Sequence, residues 1–207
     1  MHMRKQALSE KRAAATRRMG GSLGILAPIV AFICILTAIA TYPQFSWPNN
    51  ALSDLGVVPG ITSSLFNFGL LASGVLAFNF AILGLFSYFG KSRMGKIGSV
   101  VFAAATLALI AISIFNEHFS PTHYLVSVAF FTLAPVALFI LTIAFLLCHM
   151  RGLAAFTVAV GIAASLPWVL FFGFDYVPNV AIPEFVSGLA VSAWAIVLSI
   201  IMLRSKA

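Results

Sequence analysis

Apolar residues run almost unbroken from about Gly21 to Tyr42, and five further runs of the same kind follow, each closed by a short cluster of polar, Gly and Pro residues. The second extends from roughly Ser64 to Phe89, and the third ends near Phe115. The fourth reaches about Cys148, the fifth closes near Phe174 and the sixth arrives at Leu203. A helix needs about 20 mainly apolar residues to cross a hydrocarbon core, and every run is long enough. The pattern predicts an all-α fold, a polytopic membrane protein built as a bundle of six transmembrane helices. Residues 1–20 form a basic tail and residues 21–207 the transmembrane domain.

The breaks between runs carry the polar residues. After Tyr42 come Pro43, Trp47, Pro48, Asn49, Asn50, Ser53, Asp54, Gly56, Pro59 and Gly60, turn formers and polar groups that lipid cannot solvate, so this loop is expected at an interface. A short basic turn at Gly90–Lys96 joins the second and third runs, and His149-Met150-Arg151-Gly152 joins the fourth and fifth. The remaining connections hold Asn116, Glu117, His118, Ser120, Pro121 and His123, and then Asp175, Tyr176, Pro178, Asn179, Pro183 and Glu184.

Charge gives these breaks a direction. The chain of 207 residues is 61% hydrophobic and 8% charged, with mean hydropathy +1.07, which leaves too little polar surface to solvate a globule. All 12 Lys and Arg fall in the N-terminal tail, the two basic turns and the C-terminal end, whereas Asp54, Glu117, Asp175 and Glu184 sit in the alternate connections. Short loops rich in Lys and Arg stay in the cytoplasm. Both termini are therefore expected there, in a multi-pass protein of the cell membrane, with Glu10 as the one cytoplasmic acid. The net charge of +7 reads as topology, not nucleic-acid binding, because no aromatic residue interleaves the basic tail and no reading module is present. Residues 3–18 could also lie as a helix on an anionic leaflet. The first run is too long for a signal-peptide core of roughly 7–15 residues, so the sequence predicts an uncleaved span despite Ala38-Ile39-Ala40. Cys34 and Cys148 lie far apart along the topology, and no disulfide framework is expected.

Within the spans, Gly69, Ala72, Ser73, Gly74, Ala77 and Ala81 on the second, and Ala103, Ala104, Ala105 and Ala108 on the third, mark places where helices approach closely. Pro28, Pro135 and Pro167 each remove a backbone donor and predict local bends. Asn79, near mid-membrane, is expected to bond to Thr106 or another neighbouring span.

The chemistry-bearing residues share one membrane face. Glu117 and His118 follow the third helix, His123 opens the fourth and Glu184 opens the sixth, each near the depth where hydrocarbon meets water. Carboxylates there are costly unless paired or wet, and imidazole titrates near neutrality, so the set suits binding or relay of protons, or binding of a cation. Asp54, Glu117, His123 and Glu184 are the candidate catalytic groups. Asn50, Ser53, Asn67, Asn116 and His118 are candidate substrate-binding groups. Two imidazoles with carboxylates also make a familiar zinc ligand set, which puts His118, His123, Glu117 and Asp54 forward for a divalent metal. Their spacing argues against it, because His118 and His123 are five apart across a Pro-containing loop. In the plain structural reading the acids sit at helix ends, Asp54 and Ser53 cap a turn and the histidines face water. No serine-hydrolase elbow, phosphate loop, dinucleotide fingerprint or Cys-x-x-Cys is present.

Asn50-Ala51-Leu52-Ser53-Asp54-Leu55-Gly56, followed by Leu65-Phe66-Asn67-Phe68-Gly69-Leu70 and Gly74, resembles the signature of a prokaryotic membrane family, domain of unknown function 998. The resemblance continues through Asn116-Glu117, His123, Ala129-Phe130-Phe131, Glu184 and Trp194. It implies a multi-pass membrane protein in which Asp54, Asn67, Glu117, His123 and Glu184 are the polar positions carried over, and it brings no reaction with it. The residues and the resemblance together lead to a pocket on the outer face for a lipid headgroup, small solute or ion. In its enzyme form this is a hydrolase or transferase acting on a lipid-borne substrate, with His123 as base and Asp54 or Glu117 orienting it or binding metal. A proton-coupled or small-solute carrier is the alternative, and it would need polar residues continuing through the bilayer. A structural or partner-binding protein is the third class, in which the outer polar residues point apart.

Overall fold

The computed structural model describes residues 2–204, with side chains from residue 11 onward; the side chains of Arg4, Lys5 and Glu10, and Lys206 as a whole, lie outside the described residues. Each apolar run is one helix. They are α1 (His2–Ala40), α2 (Ile61–Tyr88), α3 (Arg93–Ile114), α4 (Thr122–Leu147), α5 (Arg151–Phe174) and α6 (Ala181–Arg204). All six are long and apolar enough to cross a membrane. The chain is a polytopic, all-helical membrane protein.

Two boundaries differ from those expected. The helix of α1 starts in the basic tail, not at Gly21, because its Ala, Lys, Arg and Gln residues all favour helix and no Pro or Gly interrupts them before Gly20. At the other break, α2 begins at Ile61, three residues before Ser64. Gly60 takes φ 98 to turn the chain, and the hydroxyls of Ser63 and Ser64 donate to its carbonyl, each at 3.2 Å. A π segment at Phe80–Leu85, which sequence reasoning did not anticipate, interrupts α2 where it meets α1. Gly20 lies so close to the backbone of Gly84 that no larger residue would fit between the two helices. The small residues predicted as contacts serve that purpose: Gly69 meets Cys34 of α1, and Gly74 meets Ile110 of α3. All three intrahelical prolines are accommodated within continuous helices.

Short connections make successive helices antiparallel neighbours. Each packs mainly on the next, and α6 returns to α1, so the six close into a ring. Ile33, 62% exposed, and Val169, 61% exposed, face outward, where lipid replaces water as the neighbour. Two apolar clusters fill the ring. One, toward the end that carries the basic turns, centres on Phe80, Phe145, Leu138, Leu141 and Trp194; the other, toward the acidic connections, centres on Ile35, Leu55, Phe66 and Ile112. Between them the ring encloses an apolar cavity of about 130 Å³.

Candidate functional site

The first connection is exposed at both ends and buried in its middle. Ala51, Leu52 and Leu55 are buried, Leu55 completely, so residues 51–56 fold down into the mouth of the ring as a plug. The chain can take this path because its backbone groups find partners there. Asn50 accepts from Ser46 N–H at 2.9 Å and donates to Asp54 Oδ2 at 2.6 Å, and Ala51 N–H donates to the same oxygen at 3.0 Å. One carboxylate thus closes the turn, a role that matches the capping expected of Asp54. The plug is also fastened to α6: Ala181 N–H donates to Asn50 O at 3.0 Å, and Asn179 Nδ2 donates to Asn49 O at 2.9 Å. Trp47 packs edge-on against Phe45 and Phe185, with centroids 5.3 and 5.0 Å away.

Two further acids reach the plug from other segments. Leu52 N–H donates to Glu184 Oε2 at 2.6 Å, and Ser53 Oγ donates to Glu117 Oε1 at 2.7 Å. The short helix Ser53–Gly56 continues to Gly56, which the carboxamide of Asn67 covers. Asn67 Nδ2 donates to Gly56 O at 2.9 Å, and a Cβ at position 56 would come within 2.8 Å of Asn67 Oδ1. This contact explains why the Ser-Asp-Leu-Gly and Phe-Asn segments belong together.

His123 sits on the first turn of α4. Its Nδ1 lies 2.7 Å from the carbonyl of Phe115, which requires a proton on Nδ1, and its Nε2 faces Ser127 Oγ at 3.5 Å. The group that orients the imidazole is therefore a backbone carbonyl, in place of the Asp54 or Glu117 carboxylate expected from sequence. The reason is local, since the chain between Phe115 and His123 doubles back and brings that carbonyl under the ring.

Asp54, Glu117, His123 and Glu184 line one cavity of about 500 Å³, together with Ser53, Ser127 and Trp168. No Lys or Arg is among its lining residues. The expected substrate-binding groups divide. Ser53 is on the wall; Asn50 and Asn67 hold the plug from behind; Asn116 accepts from His118 N–H at 3.2 Å, and the His118 side chain is exposed outside the cavity. Asp175 is exposed as well. Among the described residues no group of three or more His, Cys, Asp or Glu is placed to hold a metal ion. Asn79 also departs from expectation: its Nδ2 donates to Val75 O at 2.9 Å in its own helix, and Thr106 likewise donates to Ala103 O at 2.7 Å. Neither bond crosses to a neighbour, because each side chain reaches a carbonyl one turn back without leaving its helix.

Sequence reasoning missed Ser127, Trp168 and Asn179. Ser127 was legible, one helical turn beyond His123 on the same face. Trp168 lies inside an apolar run and gave no polar signal.

The family described as Protein of unknown function (DUF998) matches residues 25–201. The chain belongs to that family. No curated protein and no solved structure gives a match. The DUF998 match spans all six helices, the plug and the four acidic and imidazole positions on the cavity wall.

Glu117 has an electrostatic signature of its own. Burial raises its carboxyl pKa above the ordinary value, the Ser53 hydrogen bond opposes that, the neighbouring Asp54 carboxylate adds to it and His123 opposes it. The folded protein thus binds this proton more tightly than the unfolded chain does. The stability it contributes is complete below the ordinary carboxyl pKa and fades as pH rises through the raised value. Glu117→Gln mimics the protonated form. Its thermal midpoint relative to the parent protein should rise as pH increases through that window, and a difference that stays constant across it would rule out the raised pKa.

Proposed function

We propose that this DUF998 protein binds a ligand at the acidic end of its bundle, which faces away from the cytoplasm of the cell membrane. The ligand is a lipid headgroup, small solute or ion recognised by Asp54, Glu117 and Glu184 with His123. The carrying observation is that three carboxylates from three separate segments line one cavity without a Lys or Arg on its wall. Such a wall attracts cations and hydrogen-bond donors and repels anions. The orientation rests on the basic turns at the opposite end. In the hydrolase or transferase form of this reading, His123 Nε2 is the acceptor for a nucleophile's proton, held in the correct tautomer by the Phe115 carbonyl. A carrier is less well supported, because the space below the acidic cavity is apolar and Asn79 does not line it.

Orientation is tested by labelling. In a variant lacking Cys34 and Cys148, Asn49→Cys should react with a membrane-impermeant maleimide in intact cells, and Lys91→Cys only after permeabilisation; the reverse pattern would overturn the topology. Binding is tested with the protein in phospholipid nanodiscs and a panel of cationic, hydroxylated and anionic probes. Asp54→Asn, Glu117→Gln and Glu184→Gln should each insert normally and weaken the same probes together. Unrelated effects at the three positions would leave a structural protein as the reading.

A further inference from the structure

The acidic cavity and the apolar cavity beneath it share four lining residues, Ser53, Ser127, Phe131 and Glu184. They are therefore adjoining compartments that differ in what they offer a ligand: the upper one sets carboxylates, His123 and Ser53 among apolar side chains, and the lower one is almost wholly apolar. From these shared walls, and resting on the binding site proposed above, we propose that the ligand is a single-chain amphiphile. Its phosphate-free head bears hydroxyl or ammonium groups among the carboxylates, and its hydrocarbon chain occupies the space enclosed by the ring.

Depth fits the chain. The apolar cavity runs along α1 from Ile35 to Gly24 and along α6 from Glu184 to Ala195. Eleven helical positions correspond to about 16 Å. An extended chain of C–C bonds of about 1.5 Å advances about 1.25 Å per carbon, so roughly a dozen carbons reach from the carboxylates to the floor. A cavity of about 130 Å³ is about ten times the roughly 10–15 Å³ that a single water requires, which agrees with one chain and not two. Left empty, such a space would deprive Phe80, Phe102, Leu70 and their neighbours of dispersion contacts on one side. Gly188 shows the opening most directly: it lines this cavity, and a Cβ added there would meet no heavy atom within 4 Å.

The head chemistry follows from the upper compartment. Three carboxylates without a cationic residue disfavour phosphate and accept donors. Trp168 lines the same compartment, and its buried Nε1 has no hydrogen-bond partner, so the wall also offers one donor to a ligand oxygen. A hydroxyl satisfies both kinds of wall group.

The test uses the full chain in phospholipid nanodiscs, free of single-chain detergent. Its probes are 2-amino-1-dodecanol, the hexyl and octadecyl analogues, dodecyl phosphate and ethanolamine, with binding read by native mass spectrometry and thermal shift. The dodecyl amino alcohol should bind best. Gly188→Leu, which extends into open space without displacing backbone, should weaken it roughly tenfold or more, the scale of an overpacking penalty, while leaving ethanolamine, which carries the head groups and no chain, unchanged. Binding that ignores chain length and Gly188→Leu, yet still depends on Asp54 and Glu184, would overturn the chain compartment and keep the acidic site. Equal binding of dodecyl phosphate would overturn the head chemistry. Binding indifferent to the carboxylates would overturn both this proposal and the site on which it rests.

Discussion

Glu184→Ala is expected to lower stability by about 1–3 kcal/mol, the cost of leaving a buried donor unpaired, and to release the plug from the mouth of the ring. The donor is Leu52 N–H, 2.6 Å from Glu184 Oε2, in a residue that is 6% exposed. Leu52 belongs to the apolar cluster that also holds Leu55 and Phe66, so no neighbouring side chain of that cluster can take over as acceptor. Glu184→Gln separates structure from recognition. Its amide oxygen can still accept from Leu52, so the thermal midpoint should stay near that of the parent protein, whereas the amide NH2 in place of the second carboxyl oxygen should weaken donor-bearing probes. Amide exchange at Leu52 and thermal denaturation in nanodiscs check the pair. Equal loss of stability in both variants would mean that the carboxyl group as a whole, and not one acceptor oxygen, holds the plug.

The helices were legible because lipid imposes a length and a composition on anything that crosses it. Six apolar runs therefore became six helices, with errors only where local chemistry blurred an edge, as at the helical basic tail before Gly21 and the serine-rich start of α2. The identity of the polar positions was legible for a related reason: a carboxylate near hydrocarbon is costly, so Asp54, Glu117 and Glu184 stand out. Their convergence was not. It depends on residues 51–56 turning inward, and the mixture of polar and apolar residues in Asn50-Ala51-Leu52-Ser53-Asp54-Leu55 signals that only once Glu184 and Glu117 are known to supply partners for its backbone and Ser53. His118 shows the converse. It shares a loop with Glu117, and the short helix Glu117–Phe119 nonetheless turns the two side chains to different sides.

The π segment and the hollow between the two clusters were invisible for a third reason. Both arise from how close neighbouring helices come, and that is decided by pairs such as Gly20 with Gly84, which are far apart in sequence. Six helices packed in order around a ring leave a centre that side chains must fill, and residues 28–35 and 188–195 bring Pro28, Ala31, Gly188 and Ser192 to it where larger residues would close it. Small residues thus do two different things here: at Gly20 they let backbones touch, and at Gly188 they keep a space open.

Trp194→Ala should be the most damaging single core substitution on α6, at about 3–5 kcal/mol by analogy with large aromatic truncations. Trp194 is 1% exposed, lies 5.4 Å from Phe102 and 6.3 Å from Phe80 between ring centroids, and donates to Thr157 Oγ1 at 3.0 Å. Two effects compete to explain its weight, and magnitudes separate them. Interhelical hydrogen bonds in membranes contribute about 0.6 kcal/mol on average, well below the packing lost with an indole. Trp194→Phe, which keeps a ring and loses the bond, should therefore cost far less than Trp194→Ala, and Thr157→Val should cost about as little as the bond itself. A Thr157→Val penalty matching that of Trp194→Ala in thermal or denaturant unfolding would reverse the ranking. The same substitution reaches the cavity, since Phe80 and Phe102 form its floor and Trp194 supports both from below. Without that support the floor should yield, so Trp194→Ala should shift the preferred amphiphile toward longer chains. An unchanged length preference would show that the floor holds its shape without the indole beneath it.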